Sequence, residues 1–446
     1  MQEHALKAAR VFMGDSLGFH ILFVLLGLTL PILVVWFEWL ALRKNDAKLL
    51  ALAHKWSKIM GVLVITGVIS GTIIALQMSL VWPGILKFGG DVIGLPFMFE
   101  TYAFLIEAVF LALYLSTWNN KKVPRKAHLM FGGFVILGST LSAYAITSVN
   151  AWMNLPTGFT IVQGKFENVD VFKAMFSQTA IIEFAHSMLA YYLAASLFIA
   201  GLYGYKIIKS RKKDRLSSKH SLDWFVVHKM MLVVAGCILA LVVTGDITGK
   251  YLAKHEPEKL AAIELVNETS TNVPFIYGGV ANEDGTISGP YIKIPNALSL
   301  LVGGKTNTMV TGLNETPKEQ RPPAYIHILF DIKMTLLGVM SAVVVIYLAI
   351  KKWRSNWLSK NWLLFTITVT GLIGMILVEL GWMITEIGRQ PWAVRGYVTT
   401  EQAITKTHDI TSFGYIFPLT YVLLFVVTIA AVRRIVSQPD VERNKK

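Results

Sequence analysis

The sequence predicts an all-α polytopic membrane protein with nine transmembrane helices. Of its 446 residues, 54 % are hydrophobic and only 16 % are charged, whereas a soluble domain carries about a quarter charged residues. Spacing supplies the third observation, because a helix needs roughly twenty apolar residues to cross a bilayer. Nine stretches reach that length: residues 17–40, 59–82, 92–117, 129–149, 180–205, 224–244, 326–350, 362–386 and 409–432.

Taken in order, the spans alternate between basic and nearly neutral connections. The opening MQEHALKAARVFMGDSLGFH reads as an amphipathic lead-in rather than a cleavable signal, since the apolar run after it is long enough to span. Loop 1–2 holds Arg43, Lys44, Lys48, Lys55 and Lys58, and loop 3–4 holds Lys121, Lys122, Arg125 and Lys126. Loop 5–6 is KIIKSRKKDRLSSKH, loop 7–8 carries Lys351, Lys352, Arg354 and Lys360, and the tail is RRIVSQPDVERNKK. Loops 2–3, 4–5 and 8–9 are much less basic. The positive-inside rule therefore predicts an outer N-terminus and a cytoplasmic C-terminus. Lys7 and Arg10 run against it, but five basic regions outweigh them.

The net charge of +14 would suit nucleic acid in a soluble protein. Here it belongs to the inner loops, and no nucleic-acid partner is expected. The single cysteine, Cys237, excludes an intrachain disulfide and a CxxC metal site. Four regions follow: residues 1–245 with six spans, an outer loop at 246–324, three spans in 325–435, and a cytoplasmic tail at 436–446. Within the loop, HEPEKLAAIELVNE has helix-forming composition, and YGGVANEDGTISGPYIKIP reads as turns with a short hairpin.

Ionisable residues inside spans are costly and point to function. His20 stands in span 1, Glu100 and Glu107 in span 3, and Glu183 and His186 at the start of span 5. Asp331, Lys333 and Met334 lie in the outer part of span 7, and Glu379 and Glu386 in span 8. Topology brings His20, Glu100, His186, Met334 and Glu386 to the outer half of the membrane. Plainer readings exist for each one alone. His20 could snorkel at a helix end, and Met334 is one of sixteen methionines. Glu100 and Glu107 could be packing donors, and Glu386 could simply pair with Arg389 at i+3. Trp36, Trp39, Trp82 and Trp362 read as interface anchors. The shared depth favours iron in a haem, which accepts His, Met and anionic oxygen ligands, over metals that prefer tighter His and carboxylate clusters. A proton-coupled transporter is the reading from another class; the lack of internal repeats argues against it.

The motifs GFHILFV, FETYAFLIEAVF, LSAYAITSVNAWMNLPTG, EFAHSMLAYYLAAS, EKLAAIE and GWMITEIGRQPW run through nearly the whole chain. Together they resemble subunit I of the cytochrome bd-type quinol oxidases, in the group with a short quinol loop. The resemblance implies a quinol:oxygen oxidoreductase of a bacterial or archaeal cytoplasmic membrane. It implies a low-spin haem b on His186 and Met334. It also implies a high-spin haem b and a haem d, or a b-type haem in its place, on His20 and Glu386. Lys259 and Glu264 would contact quinol. Glu100, Glu107, Ser142 and Asn150 would line a proton path beside the high-spin haems, and Trp382, Arg389, Glu379 and Arg10 would belong to the haem pocket. The implied partners are a second large membrane subunit, a single-span small one, quinol, dioxygen and lipid. A paralogue carrying haem b alone is the near alternative.

One departure stands out. The family often has Arg two residues before the axial Met, and Ile332 occupies that position. Met340 and Lys333 therefore stay open as alternatives to Met334.

Overall fold

In a computed structural model of the chain, residues 2–211, 220–282, 286–406 and 410–437 are described. Most of the basic loop 5–6 and the end of the tail lie outside them. Among the described residues, nine helices are long and apolar enough to cross a membrane.

In chain order the helices are α1 (Gln2–Lys44), α2 (Ala47–Leu80), α3 (Pro83–Ser116), α4 (Arg125–Asn154), α5 (Val171–Met175), α6 (Gln178–Arg211) and α7 (His220–His255). They continue as α8 (Pro257–Ile263), α9 (Ala297–Gly303), α10 (Ile326–Trp353), α11 (Asn361–Gly388), α12 (Thr400–Ala403) and α13 (Ile410–Ser437). Among the described residues three two-stranded antiparallel hairpins accompany the helices: β1 (Thr160–Val162) with β2 (Lys165–Glu167), β3 (Phe275–Ala281) with β4 (Ile287–Ile294), and β5 (Trp392–Val394) with β6 (Val398–Thr399).

Two expectations change. The amphipathic lead-in is not separate from the first span, since α1 runs unbroken from Gln2. Span 6 does not end near 244: α7 continues to His255, so the irregular part of the long loop starts about three turns later. The loop's anticipated helix and hairpin are α8 and the β3–β4 pair, which joins Phe275 to Ile294 and Ala281 to Ile287.

The chain divides into two compact units, residues 1–149, 158–175 and 403–446, and residues 150–157 and 176–402. In the first, α1 packs on α2 and α13, and α2 on α3. Asp46 caps α2 by accepting the amides of Lys48 and Leu49, each at 3.0 Å, two donors the helix itself leaves open.

In the second unit α6 packs against α7 and α11, and α10 against α11. Small residues set the α6–α11 contact. A Cβ on Gly371 would lie 3.1 Å from the Leu197 carbonyl, and one on Gly374 would lie 3.3 Å from Ala194 Cα. Backbones that close require glycine, as expected where apolar lipid gives no hydrophobic drive to helix association. The antiparallel register carries on to Trp382, whose indole donates to Tyr191 at 2.8 Å, and so brings the end of α11 beside the start of α6. A small core of Ala262, Ile263, Ile326 and Ile384 ties α8 to α10 and α11.

Candidate functional site

In the first unit, His20 on α1 meets α2. Its Nδ1 lies 2.8 Å from Ser70 Oγ, and that hydroxyl donates to the Gly67 carbonyl at 3.0 Å. With its proton committed there, Ser70 offers Nδ1 a lone pair, so the ring proton sits on Nδ1 and Nε2 keeps its lone pair. That is the tautomer which ligates metals, fixed by a hydrogen bond to the other nitrogen. The next residue is Gly71, where a Cβ would press on His20 Cε1 at 3.2 Å.

His186 on α6 repeats the pattern in the second unit. Its Nδ1 lies 2.9 Å from Thr244 Oγ1 on α7, and Gly245 follows, where a Cβ would be 3.9 Å from His186 Cε1. Neither hydroxyl–glycine pair, SG or TG, was singled out from the sequence. The signal was present as small polar residues inside apolar spans, but only a packed structure says which histidine each one serves.

Glu386 on α11 accepts hydrogen bonds from Arg389 and from Asn150. Asn154 in turn donates to Asn150 Oδ1 at 2.9 Å, which orients that amide. The i+3 pair with Arg389 thus forms and is joined by an asparagine from α4. Arg389 is 6 % exposed, yet its Nε and Nη1 find no partner. The same holds for one carboxylate oxygen each of Glu183 and Glu379. Unpaired buried donors are costly in a finished core, so these atoms mark a place shaped for a polar group. Glu183 is an electrostatic neighbour of Lys259, Glu386, Glu256 and Arg389.

On α10, Met340 is fully buried among protein atoms, whereas Met334 is 39 % exposed. Met340 is thus packed on all sides by protein, and Met334 is not. Lys333 is half-buried, is an electrostatic neighbour of His186, and lies 3.8 Å from where a Cβ on Gly381 would be. Asp331 serves the architecture, since it accepts the Gly278 amide at 2.6 Å, while His327 bonds the Ile263 and Gly278 carbonyls at 2.6 and 3.1 Å. Together they fasten the β3–β4 hairpin to α10.

Lys259 and Glu264, at the two ends of α8, are both buried. Lys259 donates to Glu256 at 3.2 Å. A Cβ on Gly388 would come within 2.7 Å of Lys259 Cε, so the glycine of the GRQPW motif leaves room for that lysine. Burial pushes the Glu264 carboxyl up to about 8, and the charge of Asp331 adds to the shift. Arg395 clamps α8 from the side by a two-pronged bond to Glu258 at 2.6 and 2.9 Å.

Of the remaining expected residues, Glu107, Glu100, Ser142 and Arg10 lie in the first unit. Glu107 is buried against Gly138 of α4, one turn before the buried Ser142. Glu100 is half-buried on the same face of α3, and Arg10 is exposed. Trp39 and Trp362 are exposed and Trp82 is buried.

Residues 8–439 match the family model for cytochrome bd terminal oxidase subunit I. The chain belongs to that family. It is 32 % identical over 428 residues to a putative cytochrome bd menaquinol oxidase subunit I of Bacillus subtilis, covering 94 % of each chain. It is 27 % identical to a cytochrome bd ubiquinol oxidase subunit 1 of the same organism, covering 96 % of this chain and 94 % of the relative. The solved bd oxidase of Geobacillus thermodenitrificans superposes with a TM-score of 0.89 at 34 % identity over 99 % of both chains. The protein is thus a multi-pass membrane subunit of a quinol:oxygen oxidoreductase.

The family implies haem, and the residues fit it. Ser70 orients His20 so that Nε2 keeps the lone pair that iron needs, and the Thr244 contact at His186 Nδ1 leaves that ring's Nε2 as the ligating atom. Arg389 holds two unused buried donors, each able to serve an anionic oxygen such as one of a propionate. Among the described residues no compact cluster of three His, Cys, Asp or Glu side chains could hold a bare metal ion.

Proposed function

We propose that the subunit binds three haems, a low-spin b, a high-spin b and a d-type or substitute b, and uses them to pass electrons from quinol to dioxygen. When bound, these groups supply the one-electron carriers and the centre at which oxygen is reduced to water. His186 and Met334 would hold the low-spin haem, and His20 and Glu386 the high-spin pair. Asn150 and Arg389 would orient the Glu386 carboxylate, with Arg389 also facing a propionate. Trp382, Glu379 and Arg10 would complete the haem surroundings.

Quinol would dock at Lys259 and Glu264 in the loop domain, residues 246–324, on the outer side. Glu264 is suited to accept a quinol proton, since its affinity for one lies near neutrality. The quinol protons would leave outside. Glu107, Glu100, Ser142 and Asn150 would carry cytoplasmic protons inward, so that charge is separated without a pump. This orientation rests on the five basic regions and the positive-inside rule. A second large subunit and a single-span small one would complete the enzyme in a bacterial cytoplasmic membrane.

The observation that carries the reading is the repeated arrangement in which a histidine meets through Nδ1 a hydroxyl residue that a glycine follows, leaving Nε2 for a ligand. A reduced-minus-oxidised absorption spectrum of the purified oxidase tests it, together with Met334→Ala and Glu386→Ala. Loss of the low-spin b band in the first and disturbance of a far-red band in the second are expected. A low-spin band that survives Met334→Ala moves that ligand to Lys333. A wild-type spectrum without the far-red band leaves haem b alone, and no haem at all removes the oxidase reading.

A further inference from the structure

Three buried side chains of the first unit have no part in the reading above. Glu38 on α1 is 0 % exposed, His128 on α4 is 1 % and Tyr114 on α3 is 0 %. The Tyr114 hydroxyl donates to Glu38 Oε2 at 2.6 Å, and His128 Nδ1 meets Glu38 Oε1 at 2.7 Å. His128 Nε2 lies 2.9 Å from the Tyr114 carbonyl. A carbonyl only accepts, so Nε2 carries a hydrogen. The contact between Nδ1 and Oε1 therefore holds a single proton, which resides on the imidazole or on the carboxyl while the pair stays neutral as a whole. Burying such a pair is expensive, and apolar residues of similar volume would serve packing as well or better.

Position gives the pair a use. Glu100, Glu107 and Tyr114 are spaced seven apart on α3, so they share one face at intervals of about 10 Å. Helix α4 lies along that face: a Cβ on Gly132 would be 3.0 Å from Tyr114 Cε2, and one on Gly138 would be 2.8 Å from the Glu107 amide. The cluster is at the basic-loop end of this stripe, with Arg43 and Lys44 following Glu38 and Lys121 to Lys126 preceding His128. Outward from it, Trp118 stands edge-on to His128 at 4.9 Å and is stacked on the half-buried His54 at 4.7 Å. Lys58 of α2 and Arg125 of α4, the latter donating to the Trp118 carbonyl at 3.1 Å, are the charges on this approach.

We propose that Glu38, His128 and Tyr114 are the proton-collecting group on the cytoplasmic side, which takes a proton arriving past His54 and passes one to Glu107. The cluster gives up its shared proton toward Glu107 and regains one from the cytoplasm, so its charge is restored at each transfer. Two helical turns separate Tyr114 from Glu107, a span for a short file of water along α4. The inference rests on the reading of Glu107 and Glu100 as proton carriers.

The test uses the complete oxidase in liposomes, with proton uptake from the cytoplasmic face followed by a pH dye during one reaction with oxygen. Glu38→Gln and His128→Gln should slow uptake by about 10²-fold, the low end of what a positioned proton-transfer group contributes. Their haem spectra should stay as in the wild type, and Glu38→Asp should recover most of the rate. If Glu38→Gln does not assemble, His128→Gln and Tyr114→Phe carry the same test. Wild-type uptake in these variants, with Glu107→Gln slow, overturns the proposal and leaves the Glu107 reading standing. Wild-type uptake in Glu107→Gln removes that reading and this one together.

Discussion

His20 and His186 belong to different units and different helices, yet each is held the same way. A hydroxyl one helix over fixes Nδ1, and a glycine next to it makes room for the ring. The difference is in tolerance. A methyl at Gly71 would sit 3.2 Å from the His20 ring, closer than side chains ordinarily approach, whereas one at Gly245 would be at an ordinary 3.9 Å. His20 is thus confined on the glycine side, and His186 has slack there. His186 instead has a charged neighbour in Lys333. One arrangement therefore serves both a tightly enclosed histidine and a looser one.

The largest expected effect concerns the contrast between the histidines and Glu386, which is held by charge rather than by a hydroxyl. Arg389→Ala should destabilise the fold by about 1–3 kcal/mol, the cost of leaving a half-buried carboxylate without its charged donor, and lower the thermal midpoint of the purified protein. Arg389→Lys keeps the charge but loses the planar fork, so its midpoint should fall between the two. If Arg389→Ala melts like the wild type, the carboxylate does not depend on that pair.

Next comes the steric asymmetry. Gly71→Ala should disturb the absorption band of the haem proposed for His20, and Gly245→Ala should leave the band of the haem proposed for His186 unchanged. Equal effects at both positions would break the comparison. The hydroxyls come third: Ser70→Ala and Thr244→Val should each weaken haem retention by about 10–100-fold, as loss of the partner of a ligating histidine does. Titrating haem release with a competing apo-globin measures it.

The smallest effect is in the loop. Burial raises the Glu264 affinity for protons well above that of an exposed carboxyl, to about 8. The folded loop therefore holds a proton the unfolded chain has lost, and its stability falls as pH rises from the ordinary carboxylate range toward 8. Protection factors of residues 257–264, corrected for the base-catalysed rise of intrinsic exchange, should be lower at pH 8.5 than at pH 6. Glu264→Gln should abolish the difference; a difference that persists assigns it to another group.

Much of this was legible without coordinates, because a bilayer forces every spanning segment to be apolar and helical. That is why nine spans could be counted, and why His20, His186 and Glu386 stood out. The continuation of α7 to His255 was hidden by its polar end, TGDITGKYLAKH, which reads as loop. The partners of the ligand candidates were hidden for another reason. Ser70 is fifty residues from His20 and Thr244 is fifty-eight from His186, and such pairings come from helix packing, not local pattern. Asp331 misled for the converse reason: a carboxylate in a span suggested chemistry, but it fastens the hairpin at Gly278.

The most direct measurement counts haem per subunit by pyridine haemochrome, with the reduced-minus-oxidised spectrum, in His20→Ala and His186→Ala. The account expects each variant to lose one haem, with a low-spin band missing from the second and a high-spin band from the first. A full complement of haem with unchanged bands in either variant would contradict it.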